Sequence, residues 1–292
     1  MTGSARLARY LKISPFVIGA TVIAFGTSAP ELAVAILAAL DAAPELAMGN
    51  VIGSNIANIG LVLGLTALIA PIAITPSRFK REYPPFLLAA LLILFLAWDL
   101  KIHRIEGVLM VGLLALYVWR SFRHKEDFST EPEEEVRLFV VKGPAFQFLL
   151  ILVGLIGLVG GAKFLVSGGV SIARSLGISE WFIGITIVAI GTSLPEIVSS
   201  IMAARRGHGE MAIGNIFGSN IFNILMVLGI TSLIHPLNIN EPIHPDLIIA
   251  TGITCLLFLL NVLGKFSLEK KSGVVLLSTY FLYISLKGFG LI

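Results

Sequence analysis

The chain has 292 residues, 56% of them hydrophobic and 13% charged, with a mean hydropathy of +0.93 and a formal net charge of +3. A soluble domain carries about 25% charged residues, so this composition excludes a water-covered globule and specifies an integral membrane protein. The single cysteine, Cys255, excludes an intrachain disulfide and a thiolate metal cluster, and the small positive charge implies no nucleic-acid partner.

The first residues, MTGSARLARYLK, hold no apolar core ahead of Pro15, so no cleavable signal peptide is expected. Nine apolar spans follow: Ile13–Leu40, Pro44–Ala70, Pro84–Trp98, Ile105–Phe122, Pro144–Ser171, Ile178–Ala204, Gly209–His235, Pro245–Leu263 and Ser272–Leu286. The runs are continuous and mostly about 20 residues long. That predicts helices rather than the alternating strands of a barrel, about 10 residues each. Several start at or just after Pro, or end near Gly, as helix punctuation does. Between the fourth and fifth spans lies RSFRHKEDFSTEPEEEVRLFVVKG, Arg120 to Gly143, a charged linker whose acidic run Glu131–Glu135 reads as a solvated loop.

Orientation follows from Lys and Arg. One set of loops holds sixteen of them: Arg6, Arg9, Lys12, Arg78, Lys80, Arg81, the five between Arg120 and Lys142, Arg205, Arg206, Lys265, Lys270 and Lys271. The opposite loops hold four: Lys101, Arg104, Arg174 and Lys287. The richer face is expected in the cytoplasm, which puts the N-terminus inside and the C-terminus outside.

Displaced by 165 residues, the chain matches itself. ARYLKISPFVIGATVIAFGTSAPE lies over ARSLGISEWFIGITIVAIGTSLPE, and AMGNVIGSNIANIGLVLGLTALIAP over AIGNIFGSNIFNILMVLGITSLIHP, without a gap from Ala8 to Pro71. The first span matches the sixth, five crossings later, so equivalent helices should run in opposite directions. The expected fold is all-α and polytopic, with two inverted-topology repeats: a first over 1–122, a cytoplasmic linker over 123–143, and a second over 144–292. Inverted repeats of this kind build secondary transporters, with the substrate site near the midplane. At the same offset the fifth span has no partner before Met1, so nine helices are expected where symmetry would give ten.

Each repeat puts a carboxylate inside an apolar span, Glu31 in GTSAPE and Glu196 in GTSLPE. An acidic residue at a helix centre costs about 2.5–3.5 kcal/mol on insertion scales, so two at equivalent places point to one shared site. Pro30 and Pro195 remove backbone donors, which is expected to free carbonyls at Ala24, Thr27, Ala189 and Thr192. The hydroxyls of Thr27, Ser28, Thr192 and Ser193 add neutral oxygens. Carboxylates among neutral oxygens suit a hard cation such as Ca²⁺ or Na⁺ and not zinc or copper, which favour His and Cys. Ca²⁺–oxygen bonds of about 2.3–2.6 Å would bring opposing carboxylate oxygens within roughly 5–6 Å in the loaded state.

The second motif is GNVIGSNIAN against GNIFGSNIFN. Its Gly-x-x-x-Gly pairs, Gly49/Gly53 and Gly214/Gly218, let helices approach closely. Ser54 with Asn58, and Ser219 with Asn223, stand four apart on one helix face and are candidate oxygen ligands. Asn50, Asn55, Asn215 and Asn220 read either as ligands or as hydrogen bonds between helices. Asp41, Asp99, Asp127 and Asp246 fall at span ends or in loops, so an intramembrane aspartyl protease is rejected, and no enzyme activity or resident cofactor is expected.

At these motifs the chain resembles the cation/calcium exchanger superfamily, specifically the prokaryotic sodium/calcium exchangers. The resemblance implies a ten-helix fold of two inverted halves, here lacking the first helix. It implies that Glu31 and Glu196 are the central Ca²⁺ ligands and also serve Na⁺, with Thr27 and Thr192 giving carbonyls and hydroxyls. Ala24 and Ala189 would give carbonyls to flanking Na⁺ sites, Ser28, Ser54, Ser193 and Ser219 hydroxyls, and Asn58 and Asn223 would line the middle. Some relatives carry Asp at the position of Asn223; here both halves have Asn, and two formal charges match one Ca²⁺. The expected function is exchange of Ca²⁺ for Na⁺ by alternating access in a prokaryotic plasma (inner) membrane. The alternatives are a cation/proton exchanger, or a transport-inactive cation-binding membrane protein if the absent helix is essential.

Overall fold

The computed structural model describes residues 14–123 and 149–292, apart from several positions between 151 and 174. The segment before Ser14, the linker over 124–148 and much of the predicted fifth span lie outside the described residues. Among those described, eight long helices follow in order: α1 (Pro15–Leu40), α2 (Pro44–Ile69), α3 (Pro76–Leu96), α4 (Arg104–Arg123), α5 (Trp181–Arg205), α6 (Gly209–Ile234), α7 (His244–Leu263) and α8 (Lys270–Gly288). Six are long and apolar enough to cross a membrane, all but α3 and α8. Burial separates the layers: the apolar windows of α2 and α6 are 78% and 89% buried, that of α4 only 22%. So α2 and α6 form the centre, and α4 turns most of its surface outward.

The third helix corrects the expected boundary. It starts at Pro76, not Pro84, and Pro84 and Pro85 lie inside it. Charge in its first turns hid it from a hydropathy reading. Those turns bury one aromatic face, with Phe79, Tyr83 and Phe86 spaced four and three apart, while Lys80 stays exposed. Phe86 stacks on Phe217 of α6 at 4.4 Å, and Phe79 stacks on Tyr83 at 5.1 Å. Pro85 has no N–H for the carbonyl of Arg81, four residues back. The Arg120 guanidinium donates to that carbonyl instead, at 2.9 Å, so the helix continues.

The 165-residue offset reappears in the backbone. Gly19–Ile23 in α1 and Gly184–Val188 in α5 are π-helical, as are Asn58–Leu63 in α2 and Asn223–Leu228 in α6. Such wide turns inside α-helices concentrate at functional sites. Four two-residue strands clip the loops. Strand β1 (Ile72–Ala73) pairs antiparallel with β4 (Ser267–Leu268), and β2 (Lys101–Ile102) with β3 (Leu237–Asn238). Each pair joins one half to the other. The same exchange holds at the centre: Asn55 donates to the carbonyl of Asn220 at 3.4 Å, and Asn220 to that of Asn55 at 3.1 Å. Reciprocal contacts of this kind are what a two-fold relation between the halves produces. They assign Asn55 and Asn220 to holding α2 against α6.

Candidate cation site

Both carboxylates sit just past a helix break. Helix α1 is interrupted at Ser28 (φ −83°, ψ 3°) and α5 at Ser193 (φ −79°, ψ 0°). The chain resumes as Ala29–Leu40 and Leu194–Arg205, with Pro near the start of each and Glu31 and Glu196 in the first turn. Pro30 and Pro195 have no N–H to give the carbonyls of Gly26 and Gly191 four residues back, and a helix N-terminus favours a negative charge. The motif G-T-S-x-P-E therefore builds a broken helix with a carboxylate at the positive end of its second piece. One expectation fails here. The carbonyls of Ala24 and Ala189 are not freed, because they accept from the amides of Ser28 (2.9 Å) and Ser193 (3.1 Å). Pro30 removes the donor four residues ahead of Gly26, not of Ala24.

All twelve predicted site residues are buried in the interior. Ala24, Thr27, Ser28, Glu31, Ser54, Asn58, Ala189, Ser193, Glu196, Ser219 and Asn223 are 0% exposed, and Thr192 is 1% exposed. Contacts cross between the halves. Thr27 meets the Ser219 hydroxyl at 3.4 Å and donates toward the side-chain oxygen of Asn215 at 3.4 Å. Thr192 meets the Ser54 hydroxyl at 3.2 Å and donates to Asn50 Oδ1 at 3.1 Å. The Ser219 hydroxyl donates to Glu196 Oε1 at 3.1 Å. The Glu31 carboxylate lies within electrostatic reach of Glu196 and of the Thr192 and Ser54 hydroxyls, yet no hydrogen bond closes to it. Asn58 and Asn223 donate across the centre, to Asn220 Oδ1 at 2.9 Å and Asn55 Oδ1 at 3.1 Å.

Unmet oxygens concentrate at this place. Among the described residues, ten buried side-chain oxygens have no hydrogen-bond partner, and seven belong to the site: Ser28 Oγ, both Glu31 oxygens, Asn58 Oδ1, Ser193 Oγ, Glu196 Oε2 and Asn223 Oδ1. Buried polar atoms are almost always paired, and a buried carboxylate without a partner is costly. Seven oxygens, three of them from carboxylates, match the six to eight that a Ca²⁺ ion takes. Donors beside them are turned elsewhere: Asn58 and Asn223 spend their amide groups on the opposite half and keep their oxygens open.

Two residues escaped the sequence reading. Ser199 and Ser200 both accept from the Asn215 amide, at 2.9 and 3.2 Å, and Ser199 donates to the Glu196 carbonyl at 3.1 Å. The first half has Val34 and Ala35 there, and Asn50 donates to the Glu31 carbonyl directly, at 3.2 Å. The signal was available: three and four residues after Glu196, the repeat changes from apolar to hydroxyl. Asn50 and Asn215 thus orient the two glutamate-bearing helices.

The hydroxyls contribute less than the carboxylates. Ser219→Ala removes one neutral donor to a charged group, about 1.5–3 kcal/mol at most. Roughly tenfold weaker Ca²⁺ binding is expected by isothermal titration, with exchange retained. Ser54→Ala, whose hydroxyl closes no bond to Glu31, is expected to lose less than Ser219→Ala.

The chain matches the sodium/calcium exchanger protein family over residues 1–123 and 146–289. It is 40% identical to a putative antiporter, CaxA, of Alkalimonas amylolytica, over 96% of this chain and 90% of that one. It is 31% identical to the sodium/calcium exchanger MaX1 of Methanosarcina acetivorans, over 96% and 91% respectively. Its structure resembles that of the sodium-calcium exchanger NCX_Mj soaked with Na⁺ and Ca²⁺, with a TM-score of 0.79, 35% identity, and coverage of 97% of this chain and 90% of that one. With a family match across both halves and relatives alike along nearly their whole length, this chain belongs to the sodium/calcium exchanger family.

Proposed function

We propose that this protein is a secondary active antiporter that exchanges Ca²⁺ for Na⁺ by alternating access. The observation that carries the reading is the set of seven unpaired buried oxygens, three of them from the two carboxylates. Glu31 and Glu196 are the central ligands. Ser28, Ser193, Asn58 and Asn223 complete the coordination, and Ser54, Ser219, Thr27 and Thr192 line it. Coupling arises because two negative charges are neutralised by one Ca²⁺ or by two or more Na⁺, and one pocket does not hold both loads well. Membership of the exchanger family and the likeness to NCX_Mj support this reading.

The halves run in opposite directions, with the N-terminus in the cytoplasm, in a prokaryotic plasma membrane. Strand pairing supports this topology. Each pair joins two loops that the Lys and Arg count assigns to one face: β1 with β4 on the basic face, β2 with β3 on the other. The Arg78–Glu210 ion pair likewise joins the start of α3 to the start of α6 on the basic face. The protein is a carrier, not an enzyme, and needs no resident cofactor.

Proteoliposomes carrying the protein should take up isotopic Ca²⁺ when an outward Na⁺ gradient is imposed. Uptake driven equally well by a pH gradient without Na⁺ would make it a cation/proton exchanger. Ca²⁺ binding without flux under either gradient would leave a cation-binding membrane protein.

A further inference from the structure

Asp246 stands in the first turn of α7 and is 0% exposed. It gathers donors from two other helices. Its Oδ2 accepts from the Trp181 indole of α5 at 3.2 Å and from the Lys287 ammonium of α8 at 2.8 Å, and its Oδ1 accepts from the Tyr283 hydroxyl of α8 at 2.8 Å. The Lys287 side chain is itself only 9% exposed. One carboxylate therefore ties three helices together, at the end of the molecule where α5 begins. Removing one partner from a buried, hydrogen-bonded charge pair is strongly destabilising, so this tie resists opening.

Among the described residues, α1 has no such tie at its first turn. The repeat puts Phe16 of α1 where α5 has Trp181, and a phenyl ring has no N–H to give. A buried acid of the first half, Glu82 of α3, is paired with Arg81 of its own helix at 2.7 Å. Phe16 is held by packing, edge-on to Phe217 at 6.1 Å. The two carboxylate-bearing helices share the broken G-T-S-x-P-E turn and differ at the outer turn.

We propose that Asp246 is a positioning residue for exchange: through Trp181 it anchors the first turn of α5, the helix that carries Glu196, and so makes the two access states unequal in energy. This rests on the alternating-access reading above. In a carrier made of two equivalent halves, the inward- and outward-open states are related by exchanging the halves. A tie present in one half alone favours the state in which it is closed, and an energy difference between states appears as different apparent affinities from the two faces of the membrane.

The test uses the full chain with Trp181→Phe, which copies the first half and keeps an aromatic ring, and Asp246→Asn, with Lys287→Arg as the conservative variant. Hydrogen exchange is read over residues 181–188, with residues 16–23 of the same molecule as the internal reference. Half-saturating Ca²⁺ is measured from each face, in everted and in right-side-out vesicles. The first two variants should speed exchange in 181–188 several-fold against the reference and shift the ratio of the two half-saturating concentrations by about fivefold or more. Lys287→Arg should behave as wild type. Unchanged exchange in 181–188 overturns the tie, and faster exchange with an unchanged ratio overturns its role in positioning. If the wild type moves no Ca²⁺ under any gradient, the alternating-access reading fails and the positioning role with it, whereas the exchange data still decide whether the tie exists.

Discussion

Glu31→Gln and Glu196→Gln are each expected to abolish Ca²⁺ exchange. Either change leaves one formal charge against a divalent ion in a pocket with every predicted ligand at most 1% exposed. Removing one partner of a buried charge interaction costs about 3–5 kcal/mol, which is roughly 150- to 5,000-fold in affinity. The same substitutions should make the ion-free protein more stable. Three of the four oxygens of these buried carboxylates accept no hydrogen bond, so an uncharged amide relieves the penalty of burying an unpaired charge. Melting in detergent separates the two effects. Wild type should be stabilised by added Ca²⁺, as any ligand of the native state does. The amide variants should melt higher without Ca²⁺ and show no response to it. A variant that keeps its Ca²⁺ response and its flux would move the ion site away from these carboxylates.

Much of this site was legible in the sequence because the duplication supplied an internal control. A glutamate in an apolar span is ambiguous, but Glu31 and Glu196 in register, each preceded by Gly-Thr-Ser and Pro, leave few structural alternatives. What stayed hidden falls into two kinds. The start of α3 was missed because hydropathy sees Arg78, Lys80 and Arg81 and not the aromatic face of Phe79, Tyr83 and Phe86 that packs inward. Helical periodicity would have found it. The partners of Asp246 could not be read at all. Trp181, Tyr283 and Lys287 are brought to it by tertiary packing over separations of 65, 37 and 41 residues, and each looks like an ordinary span-end residue. The carbonyls of Ala24 and Ala189 fall between. The prolines announce a break, but which carbonyl lacks a donor depends on the break's geometry at Ser28 and Ser193.

Gly218→Ala and Gly53→Ala should disable exchange without touching a ligand. A Cβ on Gly218 would sit 2.5 Å from the carbonyl oxygen of Ala20 and 2.6 Å from its Cα; one on Gly53 would sit 2.7 Å from the Cα and carbonyl oxygen of Ile185. These neighbours are backbone atoms in the π-helical turns of α1 and α5, so no side chain can swing aside. The helices must separate, and the residue that follows each glycine, Ser219 or Ser54, is a hydroxyl of the site. Overpacking of this kind typically costs about 1–3 kcal/mol. The greater effect is on function, because ligands held by rigid elements tolerate displacements of only about 0.5 Å. Flux is expected to fall at least roughly tenfold in each variant, with a lowered melting temperature. Gly112→Ala supplies the control: it lies in α4 with no atom within 4 Å of the added Cβ, and alanine favours helix by about 1 kcal/mol over glycine, so stability and flux should hold or improve. Wild-type flux in Gly218→Ala would mean that α1 and α6 move apart freely, and that the close glycine contact does not set the position of the cation ligands.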